Sequence, residues 1–215
     1  MGGCHPFKRC ERCAWLLSED EIKRRLEKMI SRRRLIHCLG VQTTAVKLAR
    51  LHGSDRQKAS IAGLVHDCAR DLSHDTLIEM VERFRIVADE IELGEPALLH
   101  APVGAELARV EFGIDDEEIL SAIRLHTTGD SGMSLLDKII YLADYIEPGR
   151  SYAGAGKLRR LAMEDFGRAL IVATNQTIAY VIRRGGLIHP RTVDARNFFI
   201  TEMRGRAGEL TSIFE

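Results

Sequence analysis

The chain has 215 residues, with 31 basic side chains against 31 acidic ones, so no global charge draws it to nucleic acid or to a membrane surface. Its composition, 45% hydrophobic and 29% charged, fits one large globular domain, or one domain with an appendage. No apolar run approaches the roughly 18 residues of a membrane-spanning helix, and Met1 to Lys8 lacks an apolar signal core, so a cytoplasmic location is the default expectation.

Of the five cysteines, Cys4, Cys10 and Cys13 cluster near the N-terminus. An odd count argues against a disulfide framework. Cys4 and His5 are adjacent and fit a zinc site poorly with Cys10 and Cys13. Residues 1–17 are therefore expected to be a flexible, cysteine-containing extension, and residues 18–215 a single domain.

Ser18 with Glu21 three residues on reads as a capping box opening the first helix, with Ile22, Leu26, Met29 and Ile30 as its apolar face. Ser31 is a second N-cap, followed by Arg32, Arg33 and Arg34, and Gly53 stops that helix. Ser54 or Asp55 caps the next. Its apolar face, Ile61, Leu64, Val65 and Cys68, follows the i, i+3, i+4, i+7 spacing, and it carries the pair His66-Asp67. Ser73 restarts a short helix through Leu77, Ile78 and Val81. Pro102 marks the start of a further helix that closes at Gly113, which leaves His100 just ahead of it. Asp115 or Asp116 caps a helix from Glu117 to Thr127, and Ser134 one that runs to Ile146 and stops at Pro148-Gly149. A loop from Ser151 to Gly156 precedes a long helix from about Asp165 to Arg184. Leu187 to Arg191 is a loop, and a last helix runs from Thr192 to about Met203. Strand alternation, repeats and low-complexity tracts are absent. The expectation is an all-α bundle of eight to ten helices.

His37, His66, Asp67, His100, His126 and Asp144 each border apolar positions where a charge needs a partner. One histidine on an apolar face is usually a satisfied core residue. Six such positions, four of them histidines and only His66 and Asp67 on the same segment, point instead to a metal between the helices. Imidazole and carboxylate suit iron, manganese, cobalt, nickel or zinc.

The order His37, His66-Asp67, His100, His126, Asp144 resembles the HD-domain superfamily of metal-dependent phosphohydrolases. Further motifs sharpen the likeness: Leu99-His100-Ala101-Pro102-Val103-Gly104-Ala105, His126-Thr127-Thr128-Gly129, Ile140 through Arg150 and Leu187 through Asn197. Together they resemble the branch of symmetrical bis(5′-nucleosyl)-tetraphosphatases, from about Glu21 to Ile200. The resemblance implies an HD-type helical bundle with the metal site between helices. Iron, divalent or mixed-valence, is the implied metal, as one or two ions. His37, His66, Asp67 and Asp144 match the primary ligands, and Asp67 bridges to a second ion at His100 and His126. The implied substrate is diadenosine tetraphosphate, cut in the middle to two ADP by a metal-bound hydroxide, and the implied assembly a homodimer. Where the pattern often has Lys after His-Asp-x-Ala, this chain has Arg70, which keeps the charge but changes the donor geometry.

A tetraphosphate needs further cations along its path. Arg70, one turn beyond His66, is the expected phosphate clamp and joins Asp67 as a catalytic candidate. Arg34, Thr127, Arg150, His189, Arg191 and Thr192 are candidate substrate contacts, with Ile188 to Thr192 and the turn at Pro148 as cavity walls. Arg32 and Arg33 read as solvated, His52 and His74 as surface residues, and Lys138 as a partner of Asp137 or a neighbour. Two alternatives stay open: another nucleotide substrate (a nucleoside mono- or triphosphate, or a cyclic dinucleotide), or a non-catalytic nucleotide-binding protein that uses its metal structurally. Specific nucleic-acid partners are not expected.

Overall fold

In the computed structural model, side-chain caps mark most helix starts. The structure describes residues 17–206 and has eleven α-helices and no β-strand among them. The N-terminal segment with Cys4, Cys10 and Cys13 lies outside the described residues. Helix α1 (Glu19–Met29) starts on Ser18, whose hydroxyl accepts from Glu21 N–H. The reciprocal half of the capping box is not formed, because the Glu21 carboxylate pairs with Arg24 and Arg25. Ser31 caps α2 (Arg32–His52), Asp55 caps α3 (Arg56–Val65) and Ser73 caps α4 (His74–Phe84). Asp116 caps α7 (Glu117–Leu125), and Ser134 with Asp137 forms a complete capping box on α8 (Leu135–Ile146). Asp165 caps α10 (Phe166–Arg183), and α11 spans Pro190–Arg206.

Three features depart from the sequence reading. Two helices were missed. Helix α5 (Glu90–Gly94) has only five residues, too few for an apolar period although Asp89 and Glu92 form a capping box at its start, and α9 (Ala155–Glu164) starts at Gly154 with no side-chain cap. The expected loop thus ends one residue before Ala155. Pro102 does not start a helix. It lies inside α6 (Pro96–Phe112), and Pro96 occupies the first-turn position that tolerates a missing N–H. His100 is therefore a helical residue. Finally, α3 ends at Val65, and His66 and Asp67 fall just beyond it. There the backbone tightens into i→i+3 steps, Cys68 N to Val65 O, Arg70 N to Asp67 O and Leu72 N to Ala69 O.

Helix α2 packs on α3 and α8, α7 packs on α3, α6 and α8, and α9 and α11 pack on α10, which also meets α8. Ile22, Leu26, Leu48, Ile61, Leu64, Leu99 and Phe112 are fully buried between them. Two helix backbones approach closely at Gly63, where a Cβ would sit 2.9 Å from the Gln42 Cα on α2. Glycine there lets α3 lie against α2 and brings His37 to His66. His52, expected on the surface, is half-buried with its ring 4.4 Å from that of Phe166. Lys138 pairs with Glu202 at 2.7 Å, because Asp137 is committed to its cap.

Candidate metal centre

Four histidines and two aspartates from five parts of the chain converge at one point. His37 comes from α2, His66 and Asp67 from the turn after α3, His100 from α6, His126 from the C-cap of α7 and Asp144 from α8. Three histidines use one device to fix their rings. His66 Nδ1 lies 2.9 Å from Gly63 O, His100 Nδ1 2.6 Å from Ala97 O, and His126 Nδ1 2.6 Å from Ile123 O. A carbonyl only accepts, so each Nδ1 carries the proton and each Nε2 presents its lone pair inward. At the ends of α3 and α7 the accepting carbonyls belong to the last turn, where helix carbonyls lack partners.

His37 has a different support. Its Nδ1 lies 3.2 Å from Glu147 Oε1. Glu147 is buried and also accepts from Gly149 N–H. A Cβ at Gly40 would stand 2.7 Å from Glu147 Oε2. Glutamate is an ordinary surface residue, so Glu147 escapes a search for ligands. The available signal was its position three residues after Asp144.

The inward atoms form two groups that share Asp67. Asp67 Oδ1 lies 3.1 Å from His100 Nε2 and 3.5 Å from His126 Nε2, which are 3.0 Å apart. Asp67 Oδ2 lies 3.4 Å from His66 Nε2 and 3.5 Å from His37 Nε2. His37 Nε2 is 3.3 Å from His66 Nε2 and 3.0 Å from Asp144 Oδ1. Lone pairs so crowded repel unless a cation lies among them. Ligand bonds of about 2.0–2.2 Å give donor–donor edges of about 3.0–3.5 Å, the spacing found here. The donor set fits a transition metal in each group.

Charge at the centre is set by these neighbours. Burial alone would raise the Asp67 carboxyl, but His66, His100 and His126 hold it well below the usual carboxylate range. Burial also works against ionised Asp144, yet His37 and Arg150 bring it below its ordinary value. Burial drives His100 down to about 4 against the pull of Asp67, so its imidazole is neutral at pH 7.

A cavity of about 780 Å³ opens onto Asp67, His100, His126 and Asp144. Arg34, Arg70, Thr127 and Arg150 line it. Arg34 Nη1 donates to Asp67 Oδ2 at 2.6 Å, and Arg150 donates to the carboxylate and carbonyl of Asp144. The Thr127 hydroxyl lies 3.2 Å from His126 Nε2.

His189, Arg191 and Thr192 are not among the residues lining this cavity. His189 Nδ1 accepts from Arg191 N–H, its Nε2 lies 2.8 Å from Asp89 Oδ2, and Arg191 pairs with Glu92 at 3.0 Å. These residues fasten the start of α11 to α5. The far walls are instead Tyr141 and Tyr145 on α8, Tyr152, and Gln176, Thr177, Tyr180 and Arg183 on α10. The α10 stripe at 176, 177, 180 and 183 has helical spacing, and its polar and aromatic character on an otherwise apolar helix was the signal the sequence offered.

A model of the HD domain matches residues 34–149, more than half of the chain. The chain belongs to the HD-domain family of proteins. Among its relatives are symmetrical bis(5′-nucleosyl)-tetraphosphatases. The one from Bacillus subtilis (strain 168) is 37% identical over 185 residues, covering 86% of this chain and 99% of that protein. The one from Halalkalibacterium halodurans is 40% identical over 175 residues, covering 81% and 93%. The crystal structure of a predicted HD superfamily hydrolase involved in NAD metabolism, from Clostridium acetobutylicum, superposes with a TM-score of 0.83 at 45% identity, covering 86% of this chain and 98% of that one.

Proposed function

We propose that the protein is a metal-dependent hydrolase that cuts diadenosine tetraphosphate at its central phosphoanhydride to give two ADP. The observation that carries this reading is Asp67, whose two oxygens face two separate groups of imidazole nitrogens. The naming of relatives aligned over nearly their whole length supports the same substrate. His37, His66, Asp67 and Asp144 would hold one ion, and Asp67, His100 and His126 the other. Bound there, a divalent transition metal neutralises phosphate charge and lowers the pKa of a ligated water from 15.7 toward about 7. Iron is the metal we assign, and manganese, cobalt, nickel and zinc satisfy the same donors.

The chain's own residues bind and orient. Arg34 and Arg150 stand at the ligand carboxylates, within the same cavity as Arg70 and Arg183, so guanidinium groups border the path of the phosphates. The Thr127 hydroxyl supplies a further donor beside the imidazoles. The cavity has the volume of a nucleotide-sized site. Its tyrosines offer apolar faces for adenine and ribose. A water oxygen bonds to the second phosphorus, the bridging oxygen leaves with the other ADP, and the two protons of that water pass to the two new terminal phosphates or on to solvent. Neutral His100 is free to ligate because burial keeps the proton off Nε2.

The same reading includes a homodimer acting in the cytoplasm, as the resemblance implies, and light scattering on the purified protein reads the first. No described helix is long and apolar enough to cross a membrane. The test of function is a pair of variants, His66→Ala and Asp67→Ala. Each is expected to abolish ADP release while circular dichroism stays helical. Wild-type turnover by either variant contradicts the assignment. A panel that adds nucleoside mono- and triphosphates and cyclic dinucleotides checks the choice of substrate.

A further inference from the structure

A second cavity, of about 600 Å³, reaches the same ligand cluster from another side. It shares Arg34 and Arg150 with the first cavity and touches His37, whereas the first touches Asp67, His100, His126 and Asp144. The ligand cluster with its two arginines is therefore a partition between two chambers. We propose that the second cavity is the subsite for the other ADP half of the substrate. The inference rests on the hydrolase reading above.

Cleavage at the midpoint of a symmetrical substrate leaves two equal halves, one on each side of the reacting bond. A metal centre closing the end of one pocket seats one half and leaves the other in solvent. A metal centre between two pockets seats both, and the second cavity, like the first, falls within the size range of small-molecule sites.

The chemistry of its walls fits a nucleoside diphosphate. Helix α2 presents Arg33, Ile36, His37 and Gly40 to it, at i, i+3, i+4 and i+7, one continuous face. Arg33 is exposed and makes no ion pair among the described residues. Ile36 is 62% exposed, an apolar surface left in water at the cavity wall. Gly40 has no side chain to fill the space. Arg33, Arg34 and Arg150 outnumber the two acidic lining residues, Asp71 and Glu147. Both acids have partners at the wall itself: Asp71 Oδ2 accepts from Ser31 N–H at 2.7 Å and its Oδ1 stands 3.9 Å from Arg34, and Glu147 holds His37 and Gly149 N–H and stands 4.0 Å from Arg150. Arg34 and Arg150 are paired with Asp67 and Asp144, so the cation at this chamber without an ion pair among the described residues is Arg33. In this arrangement the polyphosphate crosses the partition at Arg34 and Arg150, and Arg33 with Ile36 contacts the half that lies beyond.

Equilibrium dialysis of ADP against the metal-loaded protein tests the proposal. Two ADP per chain are expected for wild type, and one for a double variant, Arg33→Glu with Ile36→Asp. The double variant should keep its metal content and helicity and lose about tenfold or more in kcat/KM for diadenosine tetraphosphate, chiefly through KM. Arg33→Glu alone should move both readouts the same way if the double variant folds poorly. One ADP per wild-type chain overturns the proposal, as does wild-type kcat/KM in a folded Arg33→Glu variant. A wild-type protein that binds two ADP yet leaves diadenosine tetraphosphate uncut supports the two subsites and overturns the hydrolase reading, so the two failures are told apart.

Discussion

Asp67 turns one oxygen toward His100 and His126 and the other toward His37 and His66. A histidine has one inward nitrogen and cannot serve both groups. Asp67→Asn keeps the shape but removes the charge, so elemental analysis should find tenfold or greater loss of bound metal at unchanged helicity. The supporting contacts matter as well. Glu147→Gln leaves the His37 ring in place but weakens the acceptor behind Nδ1, and outer partners of this kind typically contribute 10–100-fold to metal affinity. Competition with a chelator measures that, and unaltered affinity would count against the role of Glu147. The thiols make a contrast. Burial pushes Cys68 up to about 12 and raises Cys38 above its ordinary value. Neither forms thiolate at pH 8, so iodoacetamide should label these two peptides only after denaturation, as mass spectrometry reads directly. The candidate ligands were legible in the sequence because an ionisable group next to Ile36, Val65, Leu99 or Leu125 demands compensation. Glu147 was not, because only the fold shows that Gly40 and Gly149 bury it.

Helix starts were legible at Ser31, Asp55, Ser73, Asp116 and Ser134, where a side-chain cap opens a helix of nine residues or more, but not at Asp89, whose capping box opens only five residues. Helix α9 begins at a bare Gly154 and was missed. Of the two prolines of α6, Pro96 holds the first-turn position and Pro102 lies inside the helix. A proline inside a helix frees the carbonyl four residues back, here Leu98, which lies at the cavity wall. The pairing of α2 with α3 depends on Gly63. Gly63→Ala would place a Cβ 2.9 Å from the Gln42 Cα, a backbone atom that cannot swing aside. Overpacking of this kind costs about 1–3 kcal/mol, and urea unfolding should record a loss of that size together with weaker metal binding. Full stability in this variant would show that α2 and α3 have room to separate.

At the scale of the molecule, the sequence told which residues face inward but not which distant helix closes the cavity. The motif at 188–192 points to a cavity wall, but His189 and Arg191 are engaged with Asp89 and Glu92. Helix α10 takes the position, bringing Tyr180, 56% exposed, to the cavity wall. Stacking of a base on an aromatic side chain contributes about 1–3 kcal/mol. Tyr180→Ala should raise KM for diadenosine tetraphosphate correspondingly and leave metal content untouched. An unchanged KM would place the adenine elsewhere. Two cavities meeting at one metal centre give the whole molecule a form suited to a substrate with two equal halves. The most direct measurement is chromatography of the products formed from diadenosine tetraphosphate by the metal-loaded protein. ADP as the sole nucleotide product is predicted. AMP and ATP in equal amounts, or no product from protein with full metal content, would contradict the account.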